Sequence, residues 1–232
     1  MSEARDLSSN ALKNIAIAMM FLDHAATLLV PRATVLSVLL HIPGRVVAPI
    51  MCYMIAEGFH HTSNLARYAK RLFLFALLSH FPYVWAFGLD WTHTTSVMWG
   101  LFLGLMALAA VQSGRIPAWG KVAAVSVCCV LALPADWHMV SVLWIVAFGC
   151  FRGQFKQQMI AFVLIGYGFN AIPMVWRNGW PYVYQFAILL AIPLLAMYKG
   201  RRGRQSHWMR WGFYIFYPAH LLLLFLLRLV LP

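Results

Sequence analysis

Residues 11–30 read ALKNIAIAMMFLDHAATLLV. At 1.5 Å per residue, a helix of this length covers about 30 Å, the thickness of a bilayer's hydrocarbon core. The run is too long for the apolar stretch of a cleaved signal, and further apolar runs follow it. Within it lie Lys13, Asp23 and His24. A carboxylate beside an imidazole is costly in hydrocarbon, so such a pair marks a functional site. Lys13 and His24 are separated by about three helical turns, which puts them on one face roughly 16 Å apart.

Composition carries the membrane reading across the whole chain. The 232 residues are 62% hydrophobic and 10% charged, with mean hydropathy +0.74. A soluble domain carries about 25% charged residues. Nine spans are expected, over 11–31, 43–60, 68–88, 94–112, 118–134, 137–151, 156–174, 181–198 and 209–231, with eight or ten allowed because the fifth and sixth are short. The fold class is therefore all-α, a polytopic membrane helix bundle forming a single domain over 11–232 behind a polar lead over 1–10. Charge sets the orientation. With the N-terminus inside, fourteen of the 18 Lys and Arg residues fall on the cytoplasmic side, leaving Arg32, Arg45, Arg177 and Arg228 outside.

The net charge of +12 sits at span ends. It therefore points to topology and anionic lipid rather than nucleic acid. Cys52, Cys128, Cys129 and Cys150 lie in apolar runs without ligand spacing, and the histidines form no HxxxH or HxH pattern, so no metal is expected. No P-loop or GxGxxG is present, which excludes nucleotide-driven transport by this chain.

The polar residues that remain form a constellation. Gly44-Arg45 opens the second expected span, and Pro49 frees the Arg45 carbonyl from its helical bond. Glu57-Gly58 closes that span. Arg67, Lys70 and Arg71 open the third, Arg67 and Arg71 sharing a face at i,i+4. Cations there oppose the helix dipole, a conflict that a bound phosphate resolves. Asp136 stands in the short turn between the fifth and sixth spans. Tyr217 and His220 share a face of the last span, beside Pro218. Histidines 41, 80, 93 and 207 lie at loops or ends and receive no role.

LKNIAIAMMFLDH, GRVVAPIMCYMIAEGFHHT, RYAKRLFLFALLSHFPY and FYIFYPAHLLLL, in this order, resemble the TraX family of conjugative pilin acetylases over essentially the whole chain. That family is similar to the wider membrane-bound acyltransferases, in which a basic residue, ten intervening residues and a His recur in the first span; Lys13 and His24 fit. Ser96 and Gly100 stand where the family carries Asn and Thr, and Asp136-Trp137-His138 replaces an Asp-Tyr-Gly element. The resemblance implies acetyl transfer from acetyl-CoA to an acceptor amine, a pilin N-terminus in the type member, at a bacterial inner membrane.

On that reading Lys13, Arg67, Lys70 and Arg71 hold the coenzyme's phosphates at the cytoplasmic end. His24 takes the acceptor's proton, Asp23 orients it if it reaches the imidazole, and Arg45, Tyr217 and His220 stabilise the oxyanion. Glu57 and Asp136 serve the acceptor side or the structure. A sugar hydroxyl and a lipid headgroup are the other acceptors left open, and an acyl-His24 intermediate stays open too. Two other classes compete: a proton-coupled carrier using Asp23, His24, Glu57 and His220 as a relay, and a scaffold subunit of a secretion channel.

Overall fold

The computed structural model describes residues 6–31, 33–201, 203 and 207–230. Of the cations counted above, Arg5, Arg32, Arg202 and Arg204 lie outside the described residues, as does the first half of the polar lead, residues 1–5. The described chain is helical, with two isolated bridges, Leu7 to Tyr198 and Thr95 to Ala135. Its α-helices are α1 Ser9–Leu29, α2 Val35–Gly44, α3 Val47–His61, α4 Leu65–Phe87, α5 Val97–Gln112, α6 Ala118–Leu131, α7 His138–Cys150, α8 Phe155–Gly166, α9 Ile172–Asn178, α10 Ala191–Ala196 and α11 His207–Val230. A π-turn, Tyr167–Ala171, joins α8 to α9, and a 3₁₀ run, Trp180–Leu190, leads into α10. Taken end to end, these make nine rods among the described residues: α1, α2–α3, α4, α5, α6, α7, α8–α9, the 3₁₀ run with α10, and α11. The molecule is an all-α membrane helix bundle. Four stretches, Ser9–Leu29, Val35–His61, Phe155–Asn178 and Trp211–Val230, are long and apolar enough to cross a bilayer.

Polar caps and prolines set the boundaries. Ser8, Thr34 and Asn64 cap α1, α2 and α4, each side-chain oxygen accepting from the backbone N–H three residues on. Gly88, at φ 63°, closes α4 in the left-handed region. The second rod differs from expectation. Helix begins at Val35, where a loop was expected up to residue 42, and breaks at Arg45 and Val46. Pro43 and Pro49 each remove an N–H from the ladder, and the chain between them closes with three-residue turns, Arg45 N–H to the Ile42 carbonyl and Val46 N–H to the Pro43 carbonyl. Pro173 has a similar effect on the seventh rod: its ring cannot sit against the Phe169 carbonyl in a regular helix, and the π-turn widens the ladder there. The lead also ends sooner than expected, because α1 starts at Ser9 and the Leu7 and Ser9 N–H groups bond the carbonyls of Met197 and Arg201.

Six helices close a ring: α1 against α11, α11 against α4, α4 against α5, α5 against α7, α7 against α3, and α3 against α1. The tightest side is α5 with α7. Gly100 and Gly104, one turn apart on α5, face Ser141 and Ile145, and Gly149 of α7 faces Leu108; a Cβ at any of the three would collide with its neighbour. Trp144, Phe148 and Phe162 are fully buried beside this seam. One end of the ring gathers the starts of α1 and α4 with Arg152 and Tyr198. The other gathers the Thr95–Ala135 bridge and the Arg228 bond to the Ala86 carbonyl.

Candidate functional site

A cavity of about 640 Å³ runs through the ring. At one end it is lined by Ser9, Asn10, Lys13, Asn64, Arg67 and Arg71, and at the other by Leu89, Asp136, Trp137, Tyr182 and Tyr184. Asp23, His24, Arg45 and Tyr217 line it between them. Ten of the eleven residues singled out from sequence thus belong to one site or its immediate shell. The exception is Lys70. It was expected among the phosphate cations, but it is exposed on the flank of α4 and does not line the cavity, because the turn that aims Arg67 and Arg71 inward aims Lys70 out.

His24 and His220 are joined. Nδ1 of His24 lies 2.9 Å from Nε2 of His220, and Nδ1 of His220 lies 2.8 Å from the Phe216 carbonyl. A carbonyl only accepts, so Nδ1 of His220 carries its proton and Nε2 holds its lone pair. His24 therefore donates from Nδ1. In neutral His24 the lone pair is then on Nε2, away from His220. Phe87 meets the His24 ring edge-on at 5.2 Å, and Tyr217 meets it at 6.5 Å. Pro218, in the same helix turn, removes one N–H from the α11 ladder near this carbonyl.

Asp23 turns elsewhere. It does not reach the His24 imidazole, the orienting role left open from sequence. Nη2 of Arg45 donates to both of its oxygens, at 2.9 and 2.8 Å, and Nδ1 of His41 lies 2.8 Å from Oδ1. The i to i+1 step of a helix is about 100°, which sends neighbouring side chains to different partners. Gly44 makes the approach possible, since a Cβ there would occupy the space of the Asp23 carboxylate. Arg45 is held between two rings, Trp137 at 5.3 Å and Tyr184 at 5.1 Å, and donates from Nη1 to Gln185, which also accepts from Asn170. Sequence reading missed His41, Asn170, Tyr184 and Gln185. The 3₁₀ run explains one of them: with three residues per turn, Tyr182, Gln185 and Ile188 stack on one face, and Gln185 and Ile188 are buried. Trp137, at the left-handed start of α7 (φ 66°), is a wall of the cavity.

Glu57 lies at the Arg67 end, opposite Asp136. Arg152 grips it with two nitrogens, Nε to Oε1 at 2.8 Å and Nη2 to Oε2 at 3.4 Å, and that bond pushes the high guanidinium pKa further up. Arg71 lies over Tyr68 and near Tyr214, and Lys13 over Phe213. Among the described residues no group of His, Cys, Asp and Glu is arranged to hold a metal ion.

The TraX protein family matches residues 8–228. The chain belongs to the TraX family. This TraX-family chain is also 29% identical over 238 residues to the probable fimbrial assembly protein FimC, serogroup H1, of Dichelobacter nodosus, with 97% of each chain covered. No solved structure matches it.

Proposed function

We propose that this TraX-family protein is a membrane-embedded acetyltransferase that moves an acetyl group from acetyl-CoA at the Lys13–Arg67–Arg71 end of the cavity to an acceptor entering at the Asp136 end. The observation that carries the reading is the relay from the Phe216 carbonyl through His220 to His24, inside a cavity that reaches both ends of the bundle. A general base needs a lone pair held toward its substrate, and this relay supplies one on Nε2 of His24. The acceptor amine, or hydroxyl, attacks the thioester carbonyl while His24 takes its proton; the coenzyme leaves as thiolate and receives that proton in return. Tyr217 is the donor for the oxyanion, because His220 is already engaged at both nitrogens and Arg45 is neutralised by Asp23.

The orientation that goes with this chemistry puts the N-terminus in the cytoplasm, where the coenzyme is, in a bacterial inner membrane. A pilin or fimbrial subunit is the acceptor favoured by the family and by the FimC relative's name. The carrier reading is weaker, since two of its four relay members, Asp23 and Glu57, are each fixed by an arginine.

Purified protein in lipid nanodiscs with radiolabelled acetyl-CoA and a pilin N-terminal peptide tests the proposal. Label is expected on the peptide, and not with His24→Ala. Uptake of acceptor into proteoliposomes without any label transfer would replace the enzyme with the carrier.

A further inference from the structure

Four charged side chains line the donor end of the cavity: Lys13, Arg67 and Arg71, and against them Glu57. An acidic group at the mouth of a polyanion site needs a reason. Glu57 has a side chain only 11% exposed, on the last turns of α3, four residues before that helix ends at His61. Its partner Arg152 comes from the Phe151–Gln154 turn between α7 and α8, is 41% exposed, and does not itself line the cavity. His61, one turn along α3, completes the cluster, with Nε2 3.4 Å from Glu57 Oε2 and 3.3 Å from Arg152 Nη2.

The geometry points to Arg152 as a specificity residue for the donor: by covering Glu57 from behind, it leaves the mouth of the cavity with an uncancelled positive field that selects a polyanionic ligand. The inference rests on the acetyl-CoA reading above. Its physics is simple. Glu57 shares a cavity wall with the cations and is little exposed, so solvent screens it poorly. Paired with a forked guanidinium, it adds almost no field at the phosphate position. Unpaired, it places a negative charge beside a ligand that carries several.

A purely structural Arg152, tying the α7–α8 turn to α3, would behave differently, because its loss could not be repaired by removing the carboxylate. Coenzyme A binding to nanodisc-embedded protein, by calorimetry at low and high salt, separates the cases. For Arg152→Ala we expect a dissociation constant raised about ten-fold at low salt, with the difference shrinking at high salt. Glu57→Gln tightens binding, and the Arg152→Ala/Glu57→Gln double variant returns to near the wild-type value. Wild-type binding with an Arg152→Ala loss that the double variant fails to restore, or with no loss at all, overturns the inference while leaving the acetyltransferase reading intact. Failure of the wild-type protein to bind coenzyme A removes both.

Discussion

His24 and His220 stand 196 positions apart in sequence and share a hydrogen bond of 2.9 Å inside the bundle. The first and last long helices thus meet through two imidazoles, and the Phe216 carbonyl fixes which nitrogen of each carries its proton.

Replacing His24 by Ala is expected to remove transfer while the protein still inserts and folds. A general base supplies about 10²–10⁴-fold of rate, and the loss should appear in kcat with donor affinity kept. Single-turnover transfer by the purified variant, at anything near the wild-type rate, would dismiss His24 as the base.

His220 acts through His24, so its removal should cost less. His220→Ala frees the His24 tautomer, and we expect a rate loss up to about 10²-fold, with the donor dissociation constant unchanged. Gln at 220 keeps an acceptor close to the Nε2 position and should recover part of the rate. Equal losses for Ala and Gln would show that the relay does not set the tautomer.

Arg67→Ala and Arg71→Ala should each raise the coenzyme A dissociation constant about ten-fold or more, the worth of a charge-assisted bond of about 1.5–3 kcal/mol. Lys70→Ala, off the cavity wall, should not. A Lys70 effect as large as the other two would mean that general surface charge, and not the cavity, draws the donor.

The outline of this fold was written in the sequence wherever an apolar run was long. The starts and ends of α1, α5, α7 and α11 fall within a few residues of the expected spans. What escaped was short or uncharged. VLSVLLHIPG, over α2, is only ten residues long with Pro43 inside it and reads as a loop, which hid His41. Asn170 and Gln185 carry no charge, so nothing marks them as costly until a π-turn and a 3₁₀ run, neither of which has a clear sequence period, turn them toward Arg45. The polar residues of the site were legible because hydrocarbon makes each of them expensive. Their partners were not, since pairing is decided by how helices far apart in the chain come together.

The Asp23–Arg45 pair should behave as a packed internal salt bridge. Both side chains are 12% exposed. Asp23→Leu or Arg45→Met alone strands the other charge and is expected to cost about 3–5 kcal/mol, while the double change costs less than either single one. Gly44→Ala should be destabilising for the same reason, since its methyl group displaces the Asp23 carboxylate from Arg45. Unfolding in mild detergent followed by tryptophan fluorescence measures all four variants. Additive single changes would show that the pair is not coupled.

Orientation is tested by labelling. Gly114, exposed in the turn after α5 with open space around it, belongs to the same end as Arg67; Thr92, exposed in the loop before α5, belongs to the same end as Asp136. In a background where Cys52, Cys128, Cys129 and Cys150 are replaced, a membrane-impermeant maleimide added to intact spheroplasts should label Thr92→Cys. It should reach Gly114→Cys only after the membrane is opened. That pattern follows from the Lys and Arg bias and puts the Lys13, Arg67 and Arg71 end where coenzyme A is available. Labelling of Gly114→Cys in sealed spheroplasts, with Thr92→Cys protected, would invert the bundle and leave the donor cations on the side without coenzyme A. The proposed route of the acetyl group from one face of the membrane to the other would then fail.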